Sequence, residues 1–312
     1  MPANDYRIHT RRLTGAGSDG EPAECTGAGS DGERAECRGA GSDGERAECT
    51  GAGSDGERAE CTGAGSDSEP AESFPADILI VMPGTGSDAD FVRRAFGPAA
   101  REIGVDLIAL EPTDNLIGGH RDALRRFTAD HARVLVGGFS IGAALALEWA
   151  LGPGGHRCVG VWAAMPAWSG EPSTALAATG AAMTATALRT DGLDATIDAM
   201  SSTSPTWLAN ELARSWRALY PGLVTQLERA AAYRAPDLDR IATLSVPLAV
   251  VAADDDPLHP WAVAQSWCRA APRARLQRVG LAQWGTDPAV LGRACATGWQ
   301  YLLDEDAAPT EQ

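Results

Sequence analysis

From about residue 74 onward, short unbroken apolar runs alternate with longer stretches whose apolar residues recur every three or four positions. Residues 76–82 (ADILIVM) are rich in Ile and Val and stop at Pro83-Gly84, which predicts a strand buried on both faces. Helix-compatible sequence follows over 90–103, then a second strand over 105–110 that stops at Glu111-Pro112. A weaker helix is expected around 120–129, a third strand over 134–138, a helix from Ile141 to about Leu151, and a fourth strand over 158–165. The alternation pauses between Ala167 and about Ala242, where the chain is Ala-rich and helical, carries Trp168, Trp207, Trp216 and Tyr220, and shows no clear strand. It resumes with a strand over 246–252, a helix over 261–271, a strand near 274–279 and a last helix near 288–303. Strands alternating with helices of ten or more residues specify βαβ units and a mostly parallel sheet with helices on both faces. The strandless insert reads as a helical cap at about 167–242, so residues 74–312 form one domain.

The segment before it is of another kind. Five 12-residue units run in tandem over residues 14–73, from TGAGSDGEPAEC to TGAGSDSEPAES. None contains a branched aliphatic or aromatic residue, so none can contribute to a core. Solenoid repeats are longer and bring apolar positions to stack. Residues 1–73 are therefore expected to be a disordered tail. The oxygen ligands of G-S-D-G-E are too sparse for a calcium loop of the helix-flanked kind.

Composition changes the picture mainly by exclusion. The formal net charge is −16, but residues 14–73 hold 15 acidic and 4 basic residues, so the rest of the chain carries only −5. No basic stripe exists to neutralise phosphates, which argues against nucleic acid as a partner. No apolar stretch approaches the ~20 residues of a membrane span, and no apolar run follows the basic residues at the N-terminus, so a cytoplasmic protein is expected. Of seven cysteines, Cys25, Cys37, Cys49 and Cys61 recur only because their segment repeats, without the C-x-x-C pairing of a zinc site. Cys158, Cys268 and Cys295 sit in apolar surroundings and read as core thiols. No metal and no cofactor is expected; the partner anticipated is a small-molecule substrate.

Three segments carry chemistry. Gly138-Phe139-Ser140-Ile141-Gly142 fits G-x-S-x-G between an apolar strand and a helix, the context in which a strained turn exposes a serine hydroxyl. The simpler alternative is a βα turn whose serine caps the helix. Upstream, Pro83-Gly84-Thr85-Gly86-Ser87-Asp88 follows the first strand, and its glycines let backbone N–H groups face a developing negative charge, with Thr85 supplying one donor and Ile141 the other. Ser87 is the next candidate nucleophile after Ser140. The same loop also reads as G-x-G-x-x-A with Glu111 ending the next strand, a dinucleotide-binding pattern that would make the chain an oxidoreductase, although Pro83 is wedged before the first glycine. Finally, Ala253-Asp254-Asp255-Asp256-Pro257-Leu258-His259-Pro260 follows the fifth strand and makes Asp256 the candidate acid; a charged turn with a helix cap is the alternative, more so for Asp254 and Asp255.

The loop MPGTGSDADF, the elbow GGFSIGAALALEWAL and AADDDPLHP before a helix together resemble the α/β-hydrolase family, in a bacterial branch in which one strand of the sheet leads into a helical cap. The resemblance spans roughly residues 76–303. It implies an α/β-hydrolase fold, a nucleophile at Ser140, oxyanion donors at Thr85 and Ile141, an acid at Asp256, and an ester or thioester of a small or apolar acyl group as substrate. The cap tryptophans read as packing first and as pocket lining second.

The family's chain order, Ser then Asp then His, places the histidine after the last strand. Here that loop is VGLAQWGTD, without a histidine, and Gln283 stands in the vacated position. An amide has no basic nitrogen at neutral pH and cannot take the serine's proton. All five histidines, His9, His120, His131, His156 and His259, lie earlier in the chain. Three readings stay open: a displaced histidine, His259 or else His120, serves as base; the domain binds without catalysing; or a weak hydrolase works through water or another base.

Overall fold

A computed structural model describes residues 76–307, with side chains through Glu305. The tandem repeats, and the expectation that residues 1–73 are disordered, lie outside the described residues.

Six strands form one sheet: β1 (Ile78–Met82), β2 (Asp106–Ala109), β3 (Val134–Phe139), β4 (Cys158–Ala164), β5 (Leu248–Ala252) and β6 (Ala274–Arg278). They run in the order β2-β1-β3-β4-β5-β6, and every pairing is parallel. The central strands β1, β3 and β5 are buried at every position, as unbroken apolar runs require, whereas the edge strands β2 and β6 are partly exposed. Helices α1 (Ala89–Glu102), α2 (Leu116–Thr128), α3 (Ile141–Ala150) and α9 (Trp261–Ala270) make crossovers and, with the final α11 (Ala289–Ala307), cover the faces. Right-handed crossovers put α1 on the face opposite α2 and α3, and α11 packs beside α1.

Between β4 and β5 lies the cap: α4 (Leu176–Thr190), α5 (Leu193–Thr203), α6 (Thr206–Leu219), α7 (Gly222–Ala231) and the short α8 (Leu238–Ile241). It closes on a small apolar core of its own, around Ala185, Leu188, Ile197, Trp216, Leu223 and Leu227. Two elements differ from the sequence expectation. Helix α2 begins at Leu116, four residues early, because the Gly118-Gly119 pair that weakens its propensity is tolerated within a packed helix. The stretch after β6 winds into a short helix, α10 (Leu281–Thr286).

The chain runs from β1 out to β2 and returns to β3 on the other side of β1, so the strand order reverses between β1 and β3. Open parallel sheets place their ligand crevice at such a point, outside the carboxyl ends of the strands. The glycine-rich loop after β1 and the serine turn after β3 both emerge there.

Candidate active site

Ser140 separates β3 from α3 in a conformation that side-chain-bearing residues rarely adopt, φ 56° and ψ −119°. The strain is held in place by its surroundings, as is usual at functional sites. A Cβ at position 138 would lie 2.1 Å from the Gly142 carbonyl carbon, and one at position 142 would lie 2.3 Å from the Met82 oxygen. Both flanking glycines are thus required by close backbone approach, and the start of α3 is pressed against the end of β1. The Ser140 N–H donates to the Ala164 carbonyl at 2.9 Å, fixing the turn to β4.

The hydroxyl meets a histidine. His259 Nε2 lies 3.0 Å from Ser140 Oγ, and His259 Nδ1 lies 2.7 Å from Asp256 Oδ2. Asp256 also accepts the backbone N–H groups of Leu258 at 2.9 Å and His259 at 3.3 Å through its other oxygen. Acid and imidazole therefore sit on one tight turn after β5, with the carboxylate locking the turn that carries its own partner. Burial pushes the Asp256 carboxyl upward, but the hydrogen bond and charge of His259 and the two N–H groups outweigh it and hold it below the usual 3.8. The ring of Phe139 backs the imidazole edge-on, 5.3 Å between centroids.

The preceding aspartates have separate work: Asp254 pairs with Arg278, and Asp255 accepts the Leu281 N–H at the start of α10. These two match the charged-turn and helix-cap alternative; Asp256 also caps its own turn, and is set apart by its second oxygen, which holds His259 Nδ1.

The loop after β1 lies alongside. A Cβ on Gly84 would stand 3.3 Å from Ser140 Cβ. Ser87 N–H donates to the Gly84 carbonyl at 3.1 Å and Gly86 has φ +72°, which together define a type II turn with Thr85 at its second position. The Thr85 N–H finds no acceptor among the described residues. Ile141 is the first residue of α3, so its N–H has no carbonyl one turn back.

Gln283 makes no hydrogen bond to Ser140 or Asp256 among the described residues. It is exposed on α10, and its Oε1 accepts the Gly280 N–H at 3.3 Å, capping its own helix. The next residue turns inward instead: Trp284 is buried, 5.6 Å from Phe139 and 4.7 Å from Trp207 between ring centroids. Neither α10 nor the inward Trp284 had a sequence signal, since six residues show no periodicity. His120 makes no hydrogen bond to Ser140 or Asp256; it is wholly buried on α2, its Nε2 has no partner among the described residues, and desolvation pushes its pKa down to about 4. Trp168 is buried and donates to the Tyr233 carbonyl at 3.1 Å, a packing role. Ser87 Oγ is buried without a partner among the described residues.

The dinucleotide alternative fails on electrostatics. A pyrophosphate would need the N-terminus of α1, yet two carboxylates already occupy it: Asp88 caps Phe91 N–H at 3.1 Å and Glu111 accepts Ala89 N–H at 3.2 Å. Burial, with the Asp88 charge adding to it, holds the Glu111 carboxyl above 4.5 despite that N–H. Among the described residues no group of three or more His, Cys, Asp or Glu is placed to hold a metal ion, and no helix is long and apolar enough to cross a membrane.

A sequence profile described as the alpha/beta hydrolase family matches residues 60–291, and the chain belongs to that family. Solved structures agree on the fold. An esterase from Thermogutta terrifontis is 15% identical with a TM-score of 0.56, covering 73% of this chain and 92% of its own. An enol-lactonase from Burkholderia xenovorans is 15% identical with a TM-score of 0.54, covering 75% and 92%. A hydrolase from Oleispira antarctica is 14% identical with a TM-score of 0.55, covering 74% and 90%. No curated protein matches the chain.

Proposed function

We propose that this protein is a serine hydrolase acting on a carboxylic ester or thioester with a small or apolar acyl group. In this reading Ser140 Oγ attacks the acyl carbonyl and its proton passes to His259 Nε2. The Thr85 and Ile141 N–H groups receive the resulting oxyanion. His259 then gives the proton to the departing alkoxide or thiolate, leaving an acyl group on Ser140. Water, deprotonated by the same nitrogen, releases the acid and restores the serine. Asp256 accepts the hydrogen bond from Nδ1–H throughout, fixing the tautomer in which Nε2 is the basic nitrogen and stabilising the imidazolium that forms. The chain order Ser, Asp, His is retained, with the histidine three residues after its acid instead of beyond the last strand. The apolar preference rests on Phe91, Phe139, Trp284 and Trp207, which make a contiguous aromatic group beside the imidazole.

The observation that carries the reading is the double bridge of His259, 3.0 Å to Ser140 and 2.7 Å to Asp256. The test combines an active-site-directed fluorophosphonate with p-nitrophenyl acetate and butyrate. The native chain is expected to label and turn over both esters, and Ser140→Ala to do neither. His259→Ala should lower kcat by roughly 10²–10⁴-fold, the worth of a positioned general base. Gln283→His should leave the rate within about threefold, well below that general-base effect. A native protein that neither labels nor turns over ester would make the domain a binding protein, and a large gain in Gln283→His would move the base to that position.

A further inference from the structure

The cap is fastened to the glycine-rich loop more firmly than packing needs, and the polar attachments come from one helix. Arg214 on α6 donates from both terminal nitrogens to Asp88, at 2.7 and 2.9 Å. Ser215 Oγ donates to the Gly86 carbonyl at 2.7 Å. Trp216 lies against Gly86, where a Cβ would come within 2.7 Å of its indole nitrogen. These three consecutive residues grip the two ends of the segment that follows Thr85. At its other end the same helix carries Trp207, packed on Trp284 of α10. Eight residues at 1.5 Å rise put about 12 Å between Trp207 and Ser215. One rigid rod thus joins α10 to the loop beside Ser140.

The turn of residues 84–87 has a single internal hydrogen bond, from Ser87 N–H to the Gly84 oxygen. Left to itself, such a turn has little to hold the direction of the Thr85 N–H. Asp88 is the fixed point downstream: its side chain is only 6% exposed, and its carboxylate is shared between Phe91 N–H and Arg214. Burial pushes that carboxyl up, and the Arg214 fork and the Phe91 N–H overcome it, holding it below 3.8. Arg214 is in turn oriented by Glu211 at 2.6 Å, which also takes Arg94 of α1 at 2.6 Å. Without the guanidinium, a nearly buried carboxylate would face Asp90, Glu111 and Glu211 with no cation of its own.

We infer that Arg214 and Ser215 are positioning residues of the cap, which hold the 84–88 turn so that the Thr85 N–H faces the oxyanion formed at Ser140. The inference rests on the hydrolase reading above. It makes the seated cap a condition of the chemistry and not only a lid over the substrate: the donors are aligned only while α6 is in place.

The experiment uses the full chain, p-nitrophenyl acetate, and a trifluoromethyl ketone that places an oxyanion on the serine adduct. Arg214→Met and Ser215→Ala should each lower kcat by about 10- to 100-fold, the scale of a reacting group misplaced by an ångström. KM should stay within about threefold, since only the transition state feels the donor. The ketone's inhibition constant should rise by the same factor as kcat falls, and Arg214→Lys should recover part of the loss. Thr85→Pro supplies the decisive background, because proline suits the second position of a type II turn but has no N–H. In that background Arg214→Met should cost little more. If the losses multiply, or if the two cap variants melt lower with kcat unchanged, Arg214 is a structural tie and the inference is wrong. Failure of the hydrolase reading is distinct, since the native chain would then show neither turnover nor labelling.

Discussion

His120 is a titratable group that the site leaves unused, and its burial has a consequence for stability. Desolvation lowers its pKa from 6.5 to about 4. Between those values the unfolded chain binds a proton that the folded chain refuses, so stability falls as pH drops from about 6.5 to about 4 and is full above that window. At pH 5 the loss is about 2 kcal/mol, from 1.36 kcal/mol per unit over the part of the window crossed. Asp88 and Asp256, both held below 3.8, lose their contribution only at lower pH, and Glu111, held above 4.5, acts weakly in the opposite sense. Urea unfolding at pH 7 and pH 5 checks this: the native chain should lose clearly more than His120→Leu, and equal losses would assign the acid sensitivity to other groups. His259 shows the limit of residue-level reading. Its place in the chain, just before the α9 helix, suits a helix-start residue as well as a base. Only the approach of the β3 and β5 ends in space brings its Nε2 to Ser140, and no spacing in the sequence encodes that distance. Ser140 and Asp256 stood out as candidates in the sequence because a tight turn and a strand end leave local marks.

The elements marked most plainly in the sequence are those buried almost throughout. Strands β1, β3, β4 and β5 stand out as apolar runs because parallel strands covered on both faces tolerate little else. The cap was legible as a helical insert without strands, but not helix by helix. Its Ala-rich α4 and its α5 have weak periodicity, and the boundaries of α5 to α8 fall at Gly192, Pro205, Pro221 and the capping Asp237. The glycines of two elements make a paired prediction. Gly142→Ala would force a Cβ within 2.3 Å of the Met82 oxygen and 2.7 Å of the Pro83 oxygen, both backbone atoms that cannot swing aside. A loss of about 3 kcal/mol or more is expected, at the upper end of overpacking costs. Gly180 lies inside α4, where an added methyl group would meet nothing within 4 Å, so Gly180→Ala should gain about 1 kcal/mol from helix propensity. Urea denaturation reads both. A neutral Gly142→Ala would mean that the elbow is looser than its backbone contacts imply, and a destabilising Gly180→Ala would mean that α4 needs that glycine for contacts not seen in its surroundings.

At the scale of the whole domain, two apolar cores of unequal size sit one over the other. The larger is continuous through the sheet and its covering helices, with Leu79, Val136, Trp162, Val250 and Trp299 all fully buried. The cap's own core has eight buried members, three of them alanine or valine on α4 and α7. Helix α6 is bound to the sheet side by Arg214 and Ser215, but α4 leaves Leu176 and Met183 largely exposed, and α5 packs chiefly on α4 and α6. Local opening energies follow the apolar surface that a segment must expose, so α4 and α5 should open at lower cost than the strands. Hydrogen exchange followed by mass spectrometry on the full chain should therefore find three levels of protection. Amides of β1, β3, β4 and β5 should exchange slowest, those of α4 and α5 fastest among the helices of the domain, and those of α6 between the two. Removing the tie with Arg214→Met should bring α6 down to the level of α5 without changing the strands. If α4 and α5 are as protected as the sheet, cap and sheet unfold as one cooperative unit. If α6 keeps its protection in the variant, its seat depends on Trp207 and Trp216 and not on the arginine.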